Sequence, residues 1–238
     1  MKTLDLATIL RENGYVGRGV LMGKSPSGKS AAMAYFIMGR SENSQNRVFV
    51  PRGEELQIYP FDESKVEDPS LIIYWPVRIF DNNTIVTNGD QTDTVYDFLK
   101  EGKSFEEALR TRCFEPDAPN FTSRISGMMT VEGEECSYKL SILKSADAEG
   151  SACLRQTFEY EKPINGLAHF IHTYQTDGKP LPAFAGEPEQ VEIPETANEL
   201  CDILWENLDP RYKISLFVRY IDLATGTSET CLVNKHTN

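Results

Sequence analysis

Residues 16–47 read VGRGVLMGKSPSGKSAAMAYFIMGRSENSQNR, and what they form decides what kind of molecule this is. Inside them, residues 23–30 (GKSPSGKS) satisfy the phosphate-loop pattern G-x-x-x-x-G-K-[ST] at every defined position. A phosphate loop needs a buried strand before its glycines. It also needs a helix after its Lys-Ser pair, whose first N–H groups point at the phosphates. Residues 16–22 are apolar enough for the strand. The helix is doubtful. Ala and Met in residues 31–40 favour one, but Tyr35, Phe36 and Ile37 favour a strand and Gly39 stops the run early. The rival is a β-hairpin of residues 16–22 and 30–38, in which Pro26 presets a turn φ and Gly28 takes the positive φ that closes the loop. A nucleotide hydrolase also needs an acid at the end of a later apolar strand to hold Mg²⁺. Asp81 is the one fair candidate, and Pro76 splits the run before it. The alternating strands and helices of a doubly wound sheet are missing as well. The hairpin is the stronger reading.

The composition is that of a globular protein, with 40% hydrophobic and 25% charged residues over 238 positions. A net charge of −12 argues against nonspecific nucleic-acid binding. Five scattered cysteines with no C-x-x-C read as reduced thiols in a cytoplasmic protein. No zinc site is expected from three histidines. His169 and His172 would form a metal pair only on a helix. No apolar run reaches membrane-spanning length, and acids inside the N-terminal apolar stretch argue against a signal peptide.

Outward from the hairpin, residues 4–13 have helical spacing before Gly14. Residues 42–45 read as a polar loop, 48–50 and 56–59 as short strands, 63–69 as a charged loop. Residues 71–79 read as a strand, followed by a turn into 84–87. Residues 92–100 are amphipathic, and Ser104 with Glu107 forms a capping box for a second helix. Strands follow at 125–131, 137–143 and 153–160. Residues 165–174 fit helix or strand, and 180–194 form a proline-rich loop. Thr196 with Glu199 boxes another helix, and 211–221 with 230–234 close the chain as a hairpin. Strands in hairpin series with a few helices give an α+β fold in one domain over 1–238, with 1–14 as a helical extension.

Four stretches carry polar residues that hydrophobic patterning does not require. Gly39-Arg40-Ser41 and Asn46-Arg47 place two arginines around a turn, and arginine is the natural partner of phosphate or carboxylate; a solvated loop explains them equally well. Tyr74 and Arg78 alternate in phase on a strand, so they share a face. Thr87-Asn-Gly-Asp-Gln-Thr-Asp93 leads from a strand into a helix, an arrangement that binds an anion or simply caps through Asp90 or Thr92. In residues 114–125, Glu115, Asp117, Asn120, Thr122 and Arg124 crowd a loop feeding a strand, where a scaffold can hold an acid or base.

In order and spacing, these stretches resemble the archaeal-type inosine monophosphate cyclohydrolase family. Tyr15-Val-Gly-Arg18 resembles its opening residues. Arg40-Ser41 with Asn46-Arg47, Tyr74-x-x-x-Arg78, Thr87-Asn-Gly89 with Thr92-Asp93, and Glu115 with Asn120-x-Thr-x-Arg-Ile125 follow in its order. Beyond about residue 129, His172-Thr-Tyr174 and Gly186-Glu-Pro188 are similar to bacterial members. The resemblance implies a four-layered αββα sandwich of the N-terminal-nucleophile hydrolase type. It makes residues 23–30 a hairpin turn. It also implies the last step of purine synthesis, closure of 5-formamidoimidazole-4-carboxamide ribonucleotide to inosine monophosphate with loss of water. That chemistry needs no metal or redox cofactor. It gives Arg47, Tyr74 and Glu115 the catalytic roles, and Arg40, Asn88 and Arg124 the substrate contacts, phosphate included. The partner implied is a small purine ribonucleotide, not nucleic acid or membrane, and a homo-oligomer is compatible with it. Gln91 stands where archaeal members have His. The alternatives are a noncatalytic relative that binds a purine nucleotide and, further off, a phosphate-loop hydrolase.

Overall fold

The computed structural model describes residues 2–66 and 73–237. The decisive stretch is a hairpin. β1 (Arg18–Lys24) and β2 (Ser30–Met38) pair antiparallel, with Val20 opposite Tyr35 and Lys24 opposite Ala31. The residues after Lys29 are strand, so the helix that a phosphate loop requires is not there. Ser25 N–H donates to Ser30 O and Gly28 N–H to Ser25 O, with Gly28 at φ +73°. The Ser27 donors are already used, because the Glu195 carboxylate accepts from its N–H at 2.9 Å and from its hydroxyl at 2.5 Å.

β2 shows why this run could be mistaken for a helix. Ala31, Met33, Tyr35 and Ile37 enter one hydrophobic cluster, while Ala32, Ala34, Phe36 and Met38 enter another. Both faces are covered, so the apolar run is continuous rather than alternating.

Two antiparallel sheets form from the chain in different ways. β3 (Val48–Arg52), β4 (Glu55–Tyr59), β5 (Val77–Phe80), β6 (Asn83–Thr87), β7 (Arg124–Glu132), β8 (Glu135–Ser145) and β9 (Cys153–Tyr160) lie side by side in chain order, a seven-stranded meander. The other sheet has the order β11-β10-β1-β2-β12-β13, where β10 is Leu167–His172, β11 Glu189–Glu192, β12 Lys213–Asp222 and β13 Ser228–Asn234. It is assembled from both ends of the chain around the β1–β2 hairpin. The sheets lie face to face over a core that includes Met22, Tyr35, Tyr74, Met129, Leu140 and Phe217.

Helices cover the outer faces. α1 (Leu6–Glu12) and α5 (Ala197–Asn207) lie on the six-stranded sheet, and α3 (Gln91–Lys100) and α4 (Phe105–Arg110) on the other. α5 follows from its sequence. Thr196 and Glu199 form a reciprocal capping box, and Ala197, Leu200, Cys201 and Leu204 fall on one buried face. Each fully buried leucine there contributes about 1.5–3 kcal/mol. Ser104 and Glu107 box α4 in the same way. Among the described residues, no helix is long and apolar enough to cross a membrane.

Several expectations are corrected. Residues 42–45 are not a loop but the one-turn helix α2 (Glu42–Gln45), started by Ser41 Oγ accepting from Ser44 N–H. The run 165–174 resolves as strand β10, and the proline-rich loop contains strand β11, which pairs with β10. The strand expected over 71–79 begins only at Val77, after Pro76; residues 71 and 72, and 67–69 of the charged loop, lie outside the described residues. His169 and His172 sit on opposite faces of β10, His169 against Tyr138 and Tyr160, His172 beside Phe170. The cysteines are not all thiols: Cys201 and Cys231 form a disulfide. They are 30 residues apart in the chain, but α5 packs across β12 and β13 and brings them together.

Candidate active site

The sequence-predicted residues meet at the end of the sandwich where β1 begins and β6 ends. Arg18 opens β1 on the face that Val20 and Met22 turn to the other sheet. Its backbone is fixed by Thr173, whose Oγ accepts from Arg18 N–H at 3.1 Å and whose N–H donates to Arg18 O at 3.0 Å. Tyr35 comes from β2. Tyr74 comes from the irregular segment before Pro76, where its carbonyl accepts from Ile58 N–H at 2.9 Å. The two phenol oxygens are 3.2 Å apart. Arg47 stands just before β3, and its Nε is buried without a hydrogen-bond partner among the described residues.

Glu115 reaches this group from the loop between α4 and β7. Its N–H donates to Thr122 O at 2.9 Å. The loop is pinned by Asp117, which accepts from Thr122 N–H at 2.6 Å and from its hydroxyl, and by Thr122 Oγ, 2.6 Å from Tyr174 OH. The irregular loop backbone that carries Glu115 is thereby held in place.

The electrostatics divide the roles. Burial works against charge on Arg18, yet the ring of Tyr15, Tyr174, Tyr74 and Tyr35 holds it above the ordinary arginine value, so it is always a cation. Burial, helped by Arg18, lowers Arg47, against the pull of Tyr74, Tyr35 and Glu115. Burial raises Glu115, with Asp117 adding to it and Arg18, Arg124 and Arg47 opposing. Burial pushes Tyr35 well up, with Tyr74 adding to it and Arg18 opposing. A carboxyl that ionises above its usual range, beside fixed cations and neutral phenols, is suited to moving a proton.

The three expected substrate contacts are placed differently. Arg124, the first residue of β7, points its NH1 to Gln91 Oε1 at 2.7 Å and to Asp90 Oδ1 at 2.8 Å. Asn88 staples β6 to β7: its Nδ2 donates to Ser123 O, and its Oδ1 accepts from Ile125 N–H and Gln91 Nε2. Gln91 is fully buried between them and also donates to Ile125 O at 3.2 Å. Arg40 lies on the rim. It donates to Asp177 at 2.6 Å and to Gly178 O, and its guanidinium sits 5.0 Å from the Tyr15 ring, which stacks on Tyr174. Ser123 Oγ beside them is buried with no partner among the described residues.

Two local readings change. Tyr74 and Arg78 do not share a face. Tyr74 is in the inter-sheet core, while Arg78 points outward to Asp93 at 2.8 Å and over the Tyr96 ring at 3.5 Å. Pro76 interrupts the strand, so the two-residue period does not carry across it. Neither Asp90 nor Thr92 caps α3 with its side chain. Asp90 turns to Arg112 and Arg124, and Thr92 Oγ donates to Gly89 O. Two guanidinium groups outcompete a backbone N–H for a carboxylate.

Sequence reasoning assigned no role to Arg18, Tyr35 or Gln91. Arg18 had a signal in its place within Tyr15-Val-Gly-Arg18. Tyr35 had none, since it reads as one more core residue of β2.

Among relatives, an IMP cyclohydrolase of Methanothrix thermoacetophila is 28% identical over 152 residues, covering 61% of this chain and 74% of its own. One of Methanopyrus kandleri is 36% identical over 103 residues, covering 43% and 50%, and one of Methanosphaera stadtmanae 32% over 126 residues, covering 50% and 60%. The chain thus spans half to three quarters of these relatives. Residues 15–226, from Tyr15 through the β12–β13 turn, match the family described as IMP cyclohydrolase-like protein, and the chain belongs to that family.

Proposed function

We propose that this protein closes 5-formamidoimidazole-4-carboxamide ribonucleotide to inosine monophosphate, the last step of purine synthesis. The observation that carries the reading is the convergence of Glu115, Tyr74 and Arg47 with Arg18, four residues from four separate segments, within the stretch the family match covers. The face-to-face sheets between helical layers fit the αββα sandwich of the N-terminal-nucleophile hydrolase type.

In the reaction the carboxamide nitrogen attacks the formyl carbon. The formyl oxygen becomes a hydroxyl on a tetrahedral carbon. That hydroxyl then leaves as water while the former formamide nitrogen gives up its proton and forms the C=N bond, the attacking nitrogen keeping one N–H. Glu115 takes a proton from the attacking nitrogen and delivers one to the departing hydroxyl. Tyr74 donates to the formyl oxygen, with Tyr35 fixing its phenol. Arg47 and Arg18 hold the developing negative charge. Positioned acid–base help of this kind is worth roughly 10²–10⁴-fold. Arg124 and Arg40 take the phosphate and the ribose side of the nucleotide, and Asn88 positions Arg124 through Gln91.

A second reading has its own support. Arg124 and Arg40 are paired with Asp90 and Asp177, and Asn88 is engaged within the protein, so substrate would have to displace carboxylates. That favours a divergent relative whose nucleotide specificity or turnover differs. Incubation of the purified protein with the formamido ribonucleotide, followed by absorbance, separates the two. Enzyme-dependent closure lost in Arg47→Ala supports the cyclohydrolase. Binding of inosine monophosphate with no closure supports the second reading.

A further inference from the structure

β12 breaks its own pattern at one position. Leu216, Val218 and Tyr220 face the helices, while Phe217 and Ile221 face the opposite sheet. Arg219 falls on that second face, between two apolar residues, with its side chain only 5% exposed. Its Nε donates to Thr230 Oγ at 3.1 Å, and the guanidinium lies 5.1 Å from the Phe217 ring. NH1 and NH2, which carry the other four of its N–H groups, make no hydrogen bond among the described residues. The carboxylate near them, Glu54, forms a loose ion pair with NH2 at 3.6 Å, beyond hydrogen-bond reach. It is 69% exposed and accepts instead from Ser228 Oγ at 3.0 Å. Burial lowers the Arg219 pKa, against the pull of Glu54.

A buried arginine that serves only structure spends its donors on carbonyls or carboxylates. Arg219 makes a single hydrogen bond, through Nε, and its NH1 and NH2 are held only by the loose pair with Glu54. It lines a cavity of about 580 Å³, together with Ile79, Val131, Ile221, Asp81 and Glu54, at the end of the sandwich where the β5–β6 and β12–β13 turns lie. It also lines an adjoining one of about 370 Å³. Either volume suits a small metabolite. The aromatic packing of Tyr35, Phe49 and Phe217 lies toward the candidate active site.

We infer that this cavity is a second ligand site, and that it takes a small zwitterion of the amino-acid type. The planar fork of Arg219 holds the carboxylate through NH1 and NH2. A carboxylate placed there meets the charge of Glu54, and Asp81 adds to it. A ligand that brings its own ammonium group relieves that repulsion and pairs with the rim acids. A phosphate dianion does not, in a protein of net charge −12. Ile79, Val131 and Ile221 form the wall for an apolar side chain.

The test uses calorimetry and thermal shift on the full chain with the standard L-α-amino acids, one at a time. Inorganic phosphate and 4-methylpentanoate, an apolar carboxylate without the ammonium group, run in parallel. At least one amino acid is expected to bind and to raise the melting temperature with dose. Arg219→Gln should weaken that binding about 10- to 100-fold, the usual range for lost hydrogen bonds to a charged group. Val131→Trp, which fills the cavity from the other sheet and leaves Arg219 in place, should abolish it; circular dichroism confirms that both variants are folded. The inference is overturned if no amino acid binds, if Val131→Trp binds as tightly as the parent, or if phosphate or 4-methylpentanoate binds as tightly as the best amino acid.

Discussion

Glu115 carries the sharpest prediction at the scale of single residues. Burial raises its pKa, so the group is protonated at a higher pH than a free carboxyl. If it works as the base, the rate falls as pH drops through that raised value, and the acid limb lies above the ordinary glutamate range. Glu115→Gln should cost about 10²–10⁴-fold in kcat and remove the limb altogether. A variant that keeps full turnover and the same pH profile would sink the assignment. Gly89 offers a subtler probe. A Cβ there would stand 2.2 Å from Arg124 NH1, the end of a flexible side chain, and 2.6 Å from Oε1 of the buried Gln91. Gly89→Ala is therefore expected to keep the fold at some cost in melting temperature while displacing Arg124, which raises KM more than it lowers kcat. Steady-state kinetics beside a melting curve checks both halves. At this scale the sequence singled out residues that stand in a spaced motif, as with Arg47, Tyr74 and Glu115, which the fold brings together. It was opaque where a polar group is hidden in an apolar run, as with Tyr35. It misled at Tyr74 and Arg78, because a proline between them resets the alternation.

Among the elements, β10 depends most on its setting. His169 on that strand has Nδ1 2.7 Å from Tyr138 OH and stacks on Tyr160 at 3.8 Å between ring centres. Burial pulls its pKa down to about 4. An imidazole that ionises near 6.5 when unfolded but near 4 when folded gains its proton first in the unfolded chain. Its contribution is thus fully present above about pH 6.5 and is lost as pH falls toward 4, by at most about 3 kcal/mol. Urea midpoints at pH 7 and pH 4.5 should fall further apart for the parent than for His169→Gln; equal differences would refute the linkage. The capped helices α4 and α5 were legible because capping boxes and apolar stripes are local signals. β10, β11 and the Cys201–Cys231 bond were not. A strand of four residues inside a proline-rich segment exists only because a neighbour pairs with it, and a crosslink depends on which elements pack together, not on spacing in the chain.

Taken whole, the molecule joins two sheets of opposite construction. The seven-stranded meander uses one unbroken stretch, β3 to β9, each strand beside the next. The other sheet sets β1 and β2 between β10 and β12, more than a hundred residues further along. Such a division carries a timetable for synthesis. As the chain leaves the ribosome, the hairpin of residues 18–38 emerges ahead of the meander and has both edges open until the last third is made. The meander needs only near neighbours and closes little loop entropy at each step. The meander should therefore gain protection early, with the hairpin waiting for its flanking strands. Pulse-labelled hydrogen exchange during refolding would show β7–β8 amides protected before those of β1 and β10, and the reverse order would refute it. A nascent chain halted after Tyr160 would hold a finished platform and an unclaimed pair of apolar strand edges. For this protein, that interval is when association with another chain is the greatest hazard.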